Sequence, residues 1–220
     1  MSEYLASFLK KIGTKKELFV LDVGCGYGKN IEKLCSLGAK VLGVDKNPYL
    51  VKAVCEKGFA AKTVEEFEKS EESFDVILFS HIIEHFAPAD LLQFMDSFID
   101  RLKPGGYVII ATPLDWPDFF DDFDHIKPYP PEAIERMFCV PESQVQYHSR
   151  HELQRVQLIF RRHRLLLAKG QRLWLEAHFS LLERLIEKFF SLAYWLTGGL
   201  VGLTNGWMGL YQLHSGQKDS

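Results

Sequence analysis

"LFVLDVGCGYGKNIEKL", residues 18–34, decides the architecture. It opens as an apolar run broken only by Asp22 and ended by Gly24, which is the pattern of a buried strand over 18–24. Ile31, Leu34, Cys35 and Leu37 then recur at helical spacing until Gly38, so a helix over 29–38 follows. Between strand and helix stand Gly24, Gly26 and Gly28. Alternate glycines let a backbone turn tightly and come close to a ligand. Strand, glycine loop and helix together open a nucleotide-type βαβ unit.

The same alternation continues outward. Residues 40–45 and 74–80 read as strong strands, 59–64 as a weaker one and 107–113 as another, entered through the "KPGG" turn. Helices are predicted over 47–58, with Asn47 as N-cap and Pro48 at the first position, and over 88–102. Strands that are continuous apolar runs separated by helices pair in parallel with both faces covered. The fold class is therefore α/β, a Rossmann-like doubly wound sheet. Ligands on such sheets bind at the carboxyl ends of the strands.

The second half reads differently. Residues 115–132 are rich in proline, aspartate and aromatics and form loop; 131–138 restart a helix, and 143–149 alternate like a strand. Between 150 and 175 lie Arg150, Arg155, Arg161, Arg162, Arg164, Lys169 and Arg172 against the single acid Glu152. A helix over 179–196 is apolar around most of its circumference, and a closing strand is expected near 209–214. One domain over 1–220 is expected, with a basic and apolar helical insertion over 150–205 before the last strand.

Composition narrows the class. The chain has 220 residues, 47% hydrophobic and 25% charged, as a globular protein with a full core does. A net charge of −3 argues against a whole-protein nucleic-acid binder, and no nucleic-acid partner is expected. Cys25, Cys35, Cys55 and Cys139 form neither a C-x-x-C pair nor a disulfide framework. The N-terminal stretch lacks the apolar core of a signal peptide, so a cytoplasmic protein is expected.

Two ligand classes compete for the glycine loop. A dinucleotide fingerprint, G-x-G-x-x-G, fails: from Gly24 its third glycine falls on Lys29, and from Gly26 on Ile31. Asp22 would also repel a pyrophosphate. S-adenosylmethionine carries an ammonium and a sulfonium, which a carboxylate favours. Asp45 ends the next strand, where a carboxylate grips ribose hydroxyls.

With these residues in view, the chain resembles the class I S-adenosylmethionine-dependent methyltransferases, especially small-molecule, quinone- or glycan-modifying members. The resemblance rests on "VLDVGCGYGKNIEKL", "VLGVDKNP", "SFDVILFSHIIEHF" and "RLKPGGYVIIATP", in the family's usual order over 18–113. It implies a seven-stranded sheet whose last strand is antiparallel. It implies S-adenosylmethionine as cofactor and S-adenosylhomocysteine as product. By position, Asp22 and the backbone at Gly24, Cys25, Gly26, Tyr27 and Gly28 would hold the methionine part. Asp45 would take the ribose and Lys46 the adenine side. Thr63, Val64 and Glu65 would lie by the adenine amino group, where the family often has an acid, and Ser80 and His81 would supply backbone beside the cofactor.

"FSHIIEHF", residues 79–86, also spells H-x-x-E-H, a zinc-peptidase pattern. That pattern needs both histidines on one helix face, and here a strand runs up to His81, so the peptidase reading fails. By the resemblance, Glu84 and His85 face the active site; the alternative is that Glu84 caps the next helix and His85 only packs. Methyl transfer needs an acceptor held in line and relieved of its proton. His85 and His125, with Glu84, are the catalytic candidates. A divalent metal shared by Glu84, His85 and His125 is a variant found in small-RNA 2′-O-methyltransferases, whose E-x-x-H-H spacing this chain does not keep; no metal is expected.

The acceptor is expected to be a small molecule, quinone-like, glycan or lipid-linked, methylated on oxygen. Alternatives are an RNA 2′-O-methyltransferase and a non-catalytic S-adenosylmethionine-binding module. Residues 150–205 are expected either to cover the substrate pocket as a lid or to make peripheral contact with the inner face of a membrane.

Overall fold

A computed structural model describes residues 2–13, 17–116, 119–140, 142–163, 180–198 and 202–214. Chain order is α1 (Ser2–Ile12), β1 (Phe19–Val23), α2 (Lys29–Ser36), β2 (Lys40–Asp45), α3 (Pro48–Glu56), β3 (Ala60–Thr63) and α4 (Val64–Glu68). Then follow β4 (Phe74–Ser80), α5 (Pro88–Ile99), β5 (Leu102–Pro113), α6 (Pro131–Phe138), β6 (Leu153–His163), α7 (Ser180–Leu196) and β7 (Leu203–Leu213). Single 3-10 turns occupy Ile83–His85 and Phe119–Asp121.

The sheet has seven strands in the order β3-β2-β1-β4-β5-β7-β6. The first five are parallel, and β7 runs antiparallel between β5 and β6. The chain starts mid-sheet at β1, winds out to β3 and returns to β4 on the other side. β1 and β4 are thus neighbours whose following loops part in opposite directions, the place where such sheets form a crevice.

Alternation along each strand feeds two cores. Leu21, Val23, Ile77 and Phe79 pack with Leu91, Met95 and Ile134 on one face. Val20, Val76 and Leu78 pack with Leu5, Phe8, Ile31, Leu34 and Val54 on the other. Side chains two apart share a strand face, so Asp22 stands where Val20 predicts another core residue. Its carboxylate is fully buried.

Two expectations are corrected. Residues 143–149 are not a strand. Their polar side chains are taken up locally: Ser143 donates to the Arg136 carbonyl, His148 contacts the Ser143 carbonyl and Ser149 donates to buried Asp96. A segment anchored to α5 and α6 in this way has no sheet edge to join. The expected insertion from 150 onward begins instead as a strand, β6, on the sheet edge beside β7. Charged residues on an edge strand are a common guard against edge-to-edge pairing. Some of these charges are also matched, Arg150 by Asp96 and Asp100, and Arg155 by Glu135. Residues 164–179, with Arg164, Lys169 and Arg172, lie outside the described residues. The weak strand at 59–64 is one residue shorter at each end, because Thr63 turns the chain into α4.

Candidate active site

The glycine loop is bent by backbone conformations that side chains oppose. Gly24 has φ +71°, and a Cβ there would lie 2.5 Å from Cδ1 of Ile82. Gly28 caps α2 from the left-handed region at φ 79°. The Gly24 and Cys25 N–H groups donate to the Val44 carbonyl at 2.8 and 3.1 Å, tying the loop to the end of β2. Asp45 completes the tie: its Oδ2 accepts from Gly26 N–H and its Oδ1 from Asn47 N–H, both at 2.9 Å. A carboxylate so held is oriented before any ligand arrives.

Asp22 is the unsatisfied group of this region. Neither carboxylate oxygen has a partner at full hydrogen-bond geometry, although the Asn30 side chain interacts with the group. Burial raises its pKa from the usual 3.8 to about 7; the Asn30 side chain offsets part of that, and the charge of Asp45 adds to it. A buried carboxylate without a partner is costly. A ligand cation would supply that partner, so the residues fit the ammonium end of S-adenosylmethionine. Burial also pushes the Cys25 thiol up to about 12, helped by Asp22 and Asp45, so it stays protonated and inert.

The other residues expected at the cofactor lie at or just past the carboxyl ends of β1, β2, β3 and β4. Tyr27 is 70% exposed over the loop, and Lys46 is exposed just past β2. Thr63 is spent on a capping box: its hydroxyl accepts from Glu66 N–H, and the Glu66 carboxylate accepts from Thr63 N–H. The structure therefore leaves the backbone near Val64, with exposed Glu65, facing the β3 end. Ser80 ends β4, buried, and His81 follows with φ 54°, among described residues the one non-glycine in that region. Such strain on a non-glycine residue commonly marks a functional turn.

Beyond His81 the chain makes the Ile83–His85 turn, and Glu84 becomes fully buried. It does not cap α5, whose N-cap is Ala87 without a side-chain bond. Thr112 on β5 donates to Glu84 Oε2 at 3.0 Å. Glu84 Oε1 lies 3.3 Å from His81 Nδ1, close enough for electrostatics but short of an aligned hydrogen bond. Burial alone would raise the Glu84 pKa; His81, its own N–H and Thr112 outweigh that and hold it below the usual range.

His125 arrives from the loop after β5. Ile126 and Lys127 N–H groups donate to the Glu84 carbonyl at 2.9 and 3.2 Å, stapling this loop onto the β4 turn. Further along, Tyr129 donates to the Phe86 carbonyl and Trp207 to the Tyr129 carbonyl. The His85 and His125 rings end 5.0 Å apart. The structure thus joins Glu84, His85 and His125 into one cluster.

Sequence reading missed Arg161. It lies on β6 opposite Gly206 of β7, where a side chain would collide with the guanidinium. Arg161 donates to His81 Nε2 at 3.1 Å and to the Thr112 carbonyl at 3.4 Å. Accepting at Nε2 leaves the His81 proton on Nδ1, toward Glu84. Only strand pairing brings β6 here, so no local motif announces it. An open depression of about 370 Å³ beside Lys127, Tyr129, Arg136 and Tyr147 contains none of the cluster residues.

Comparison with known proteins gives the same frame. A family model described as a methyltransferase domain matches residues 1–165. The ubiquinone biosynthesis O-methyltransferase of Chelativorans sp. (strain BNC1) is 36% identical over 103 residues, 43% of this chain and 40% of that protein. Its counterpart in Bradyrhizobium sp. (strain ORS 278) is 34% identical over 111 residues, covering 47% and 43%. The matched region thus spans well under half of these relatives. Among solved structures, a SAM-dependent methyltransferase from Archaeoglobus fulgidus superposes with TM-score 0.59 at 19% identity, covering 96% of this chain and 94% of that one. The N-methyltransferase NodS from Bradyrhizobium japonicum WM9, in complex with S-adenosylhomocysteine, gives 0.58 at 13%, covering 96% and 86%. At such identities these two establish the fold.

Proposed function

The chain belongs to the S-adenosylmethionine-dependent methyltransferase family, and from that premise we propose that it methylates a hydroxyl oxygen of a small, quinone-like, glycan or lipid-linked acceptor. The observation that carries this reading is the Glu84, His85 and His125 cluster, gathered at the carboxyl end of β4 beside the glycine loop. Asp22, Asp45 and the backbone from Gly24 to Gly28 hold the cofactor. When bound, the cofactor supplies a methyl carbon on a sulfonium, and the S–C bonding pair stays with sulfur as the methyl leaves.

The residues of the chain do the rest. The imidazole Nε2 of His85 or His125 takes the acceptor's proton. Glu84, Thr112, His81 and Arg161 hold the cluster in position. The O-methyltransferase names of the relatives support oxygen over nitrogen as the acceptor atom.

A feature of α7 supports a lipid-linked acceptor. Leu185, Phe189, Leu192 and Leu196 are each more than half exposed and follow one helical stripe, with Trp195 beside it at 75%. No helix among the described residues is long and apolar enough to cross a membrane, so the proposed contact is peripheral, at the bilayer surface. Flotation of the full chain with anionic liposomes tests it; absence from the floated fraction removes the membrane part alone.

The main test is product formation from methyl-labelled cofactor with phenolic, amine and RNA acceptors kept apart. A labelled methyl ether from a phenol or catechol is expected. Label only in the amine or RNA arm overturns the oxygen-acceptor reading. Binding of S-adenosylhomocysteine without turnover in extracts fractionated for lipid and small molecules would favour the non-catalytic module.

A further inference from the structure

The alternation at 143–149 has a use other than a strand. Residues two apart share one face of an extended chain. Ser143, Val145 and Ser149 are half-buried, while Gln144, Gln146 and His148 face solvent. The segment is fastened from behind: Ser143 donates to the Arg136 carbonyl, the Ser149 N–H to the Met137 carbonyl and the Ser149 hydroxyl to Asp96. Val145 and Tyr147 form one wall of the open depression of about 370 Å³, which α6 and the chain at 127–130 complete. Its size lies within the roughly 300–1,000 Å³ of small-molecule sites.

Charge and walls define what such a depression can hold. Lys127 and Arg136 line it, against the one carboxylate of Glu132. Among the described residues neither cation forms an ion pair, whereas Arg150 and Arg155, farther along the chain, are matched by Asp96, Asp100 and Glu135. The Lys127 ammonium instead sits 5.5 Å from the centroid of the Tyr129 ring, a cation–π distance. Tyr129 is buried with its hydroxyl on the Phe86 carbonyl. Burial, helped by the charge of Asp90, pushes its pKa up to about 12, so it stays neutral and adds no negative charge. Tyr147 offers an exposed ring, and Met137 adds an adaptable thioether that suits an aromatic neighbour. A ligand that answers both features has a flat apolar body and one anionic group.

We propose that this depression binds a small single-ring aromatic anion, a carboxylate or a phosphate ester. Lys127 and Arg136 take the charge, and the ring lies against Tyr147 and Met137. The site is separate from the crevice beside the glycine loop, for it contains none of Glu84, His85 and His125. It is joined to them through the backbone. The Lys127 N–H donates to the Glu84 carbonyl, the Tyr129 hydroxyl donates to the Phe86 carbonyl, and Pro88, also on the lining, begins α5. The back of the depression is therefore the chain that brings His85 and His125 together, and an occupant bears on their placement. The binding itself stands whether or not the cluster transfers a methyl group.

Benzoate and phenyl phosphate are the probes. Each is titrated into the full chain in the presence of excess S-adenosylhomocysteine and followed by ¹H–¹⁵N NMR. Saturable shifts of the Lys127, Ala133 and Tyr147 N–H signals are expected from at least one of them. Benzyl alcohol lacks the charge and inorganic phosphate lacks the ring, and each should bind about 10-fold more weakly. Lys127→Gln and Arg136→Gln should each weaken the aromatic anion about 10-fold, and Tyr147→Ser about 5-fold. Lys103→Gln, at a surface cation outside the depression, should leave it unchanged. Lys127→Gln keeps the backbone bond to Glu84, and its NMR spectrum shows whether the fold is kept. Three results overturn the site: shifts confined to other residues, no saturation by either probe at about 10 mM, or binding unchanged in both Lys127→Gln and Arg136→Gln. Inorganic phosphate bound as tightly as phenyl phosphate would overturn the aromatic class of the ligand.

Discussion

On the proposed reading the crevice has a cofactor half and an acceptor half, and the two are built in opposite ways. The cofactor half is local: Asp22, the three glycines and Asp45 all come from β1, β2 and the loop between them, tied by backbone bonds to Val44 and by the Asp45 carboxylate. The acceptor half is assembled at long range. Glu84 and His85 follow β4, Thr112 lies on β5, His125 on the next loop and Arg161 on the sheet edge. A local motif tolerates little change in any one residue but is independent of distant ones. A long-range cluster depends on every element that carries it. Damage to one half should therefore spare the other.

The largest expected effect is on turnover. Replacing His85 or His125 by alanine should lower kcat by about 10² to 10⁴-fold, the usual worth of proton transfer in catalysis. S-adenosylhomocysteine affinity, read by calorimetry, should stay within about 3-fold of the parent. Loss of cofactor binding in either variant would break the separation of the halves.

Gly24→Val attacks the other side. Its positive φ costs a branched residue about 1–3 kcal/mol, and its side chain would press on Ile82. Cofactor affinity should fall about 100-fold; a change under about 5-fold would mean that the loop adapts and the local motif is looser than its geometry implies.

Protonation of Asp22 sharpens the comparison further. Its pKa is about 7 in the folded chain against the usual 3.8, so below pH 7 the carboxyl is neutral and attracts a ligand ammonium poorly. Cofactor affinity should fall about tenfold per unit as pH drops below 7, and Asp22→Asn should abolish that dependence while binding weakly throughout. The sign for stability is the reverse. Between about pH 4 and 7 the folded ligand-free chain keeps a proton that the unfolded chain has released. Its contribution to Tm therefore declines as pH rises through that window, and Asp22→Asn should flatten the decline. A Tm profile unchanged by the substitution would remove Asp22 as the titrating group.

The smallest effect belongs to Thr63. Because its hydroxyl caps α4, Thr63→Ala should cost about 1 kcal/mol of stability by chemical denaturation. Cofactor affinity should move less than about 2-fold; a larger loss would return the hydroxyl to the adenine side.

How much was legible follows the same division. β1 to β5, the glycine loop and the cofactor class were readable because apolar periodicity, glycine spacing and Asp22 are contiguous signals, while the antiparallel last strand came with the family resemblance. Glu84, His85 and His125 were nameable, but their convergence was not, since it depends on Ile126 and Lys127 bonding one carbonyl. The strand expected at 143–149 failed because alternation says nothing about whether a sheet edge is free. Arg161 was counted as one of a run of basic residues, whereas strand pairing turns it inward to His81.

The sequence alone thus determined the parallel sheet, its glycine loop and its crevice. Short-range backbone preference and burial settle such features within about thirty residues of chain. Only the tertiary structure decided that two histidines converge beside a buried carboxylate, with His125 Nε2 3.6 Å from the Asp122 carboxylate. The partners that hold the two Nδ1 atoms are carbonyl oxygens of Asp124 and Phe119, and backbone atoms carry no sequence signature.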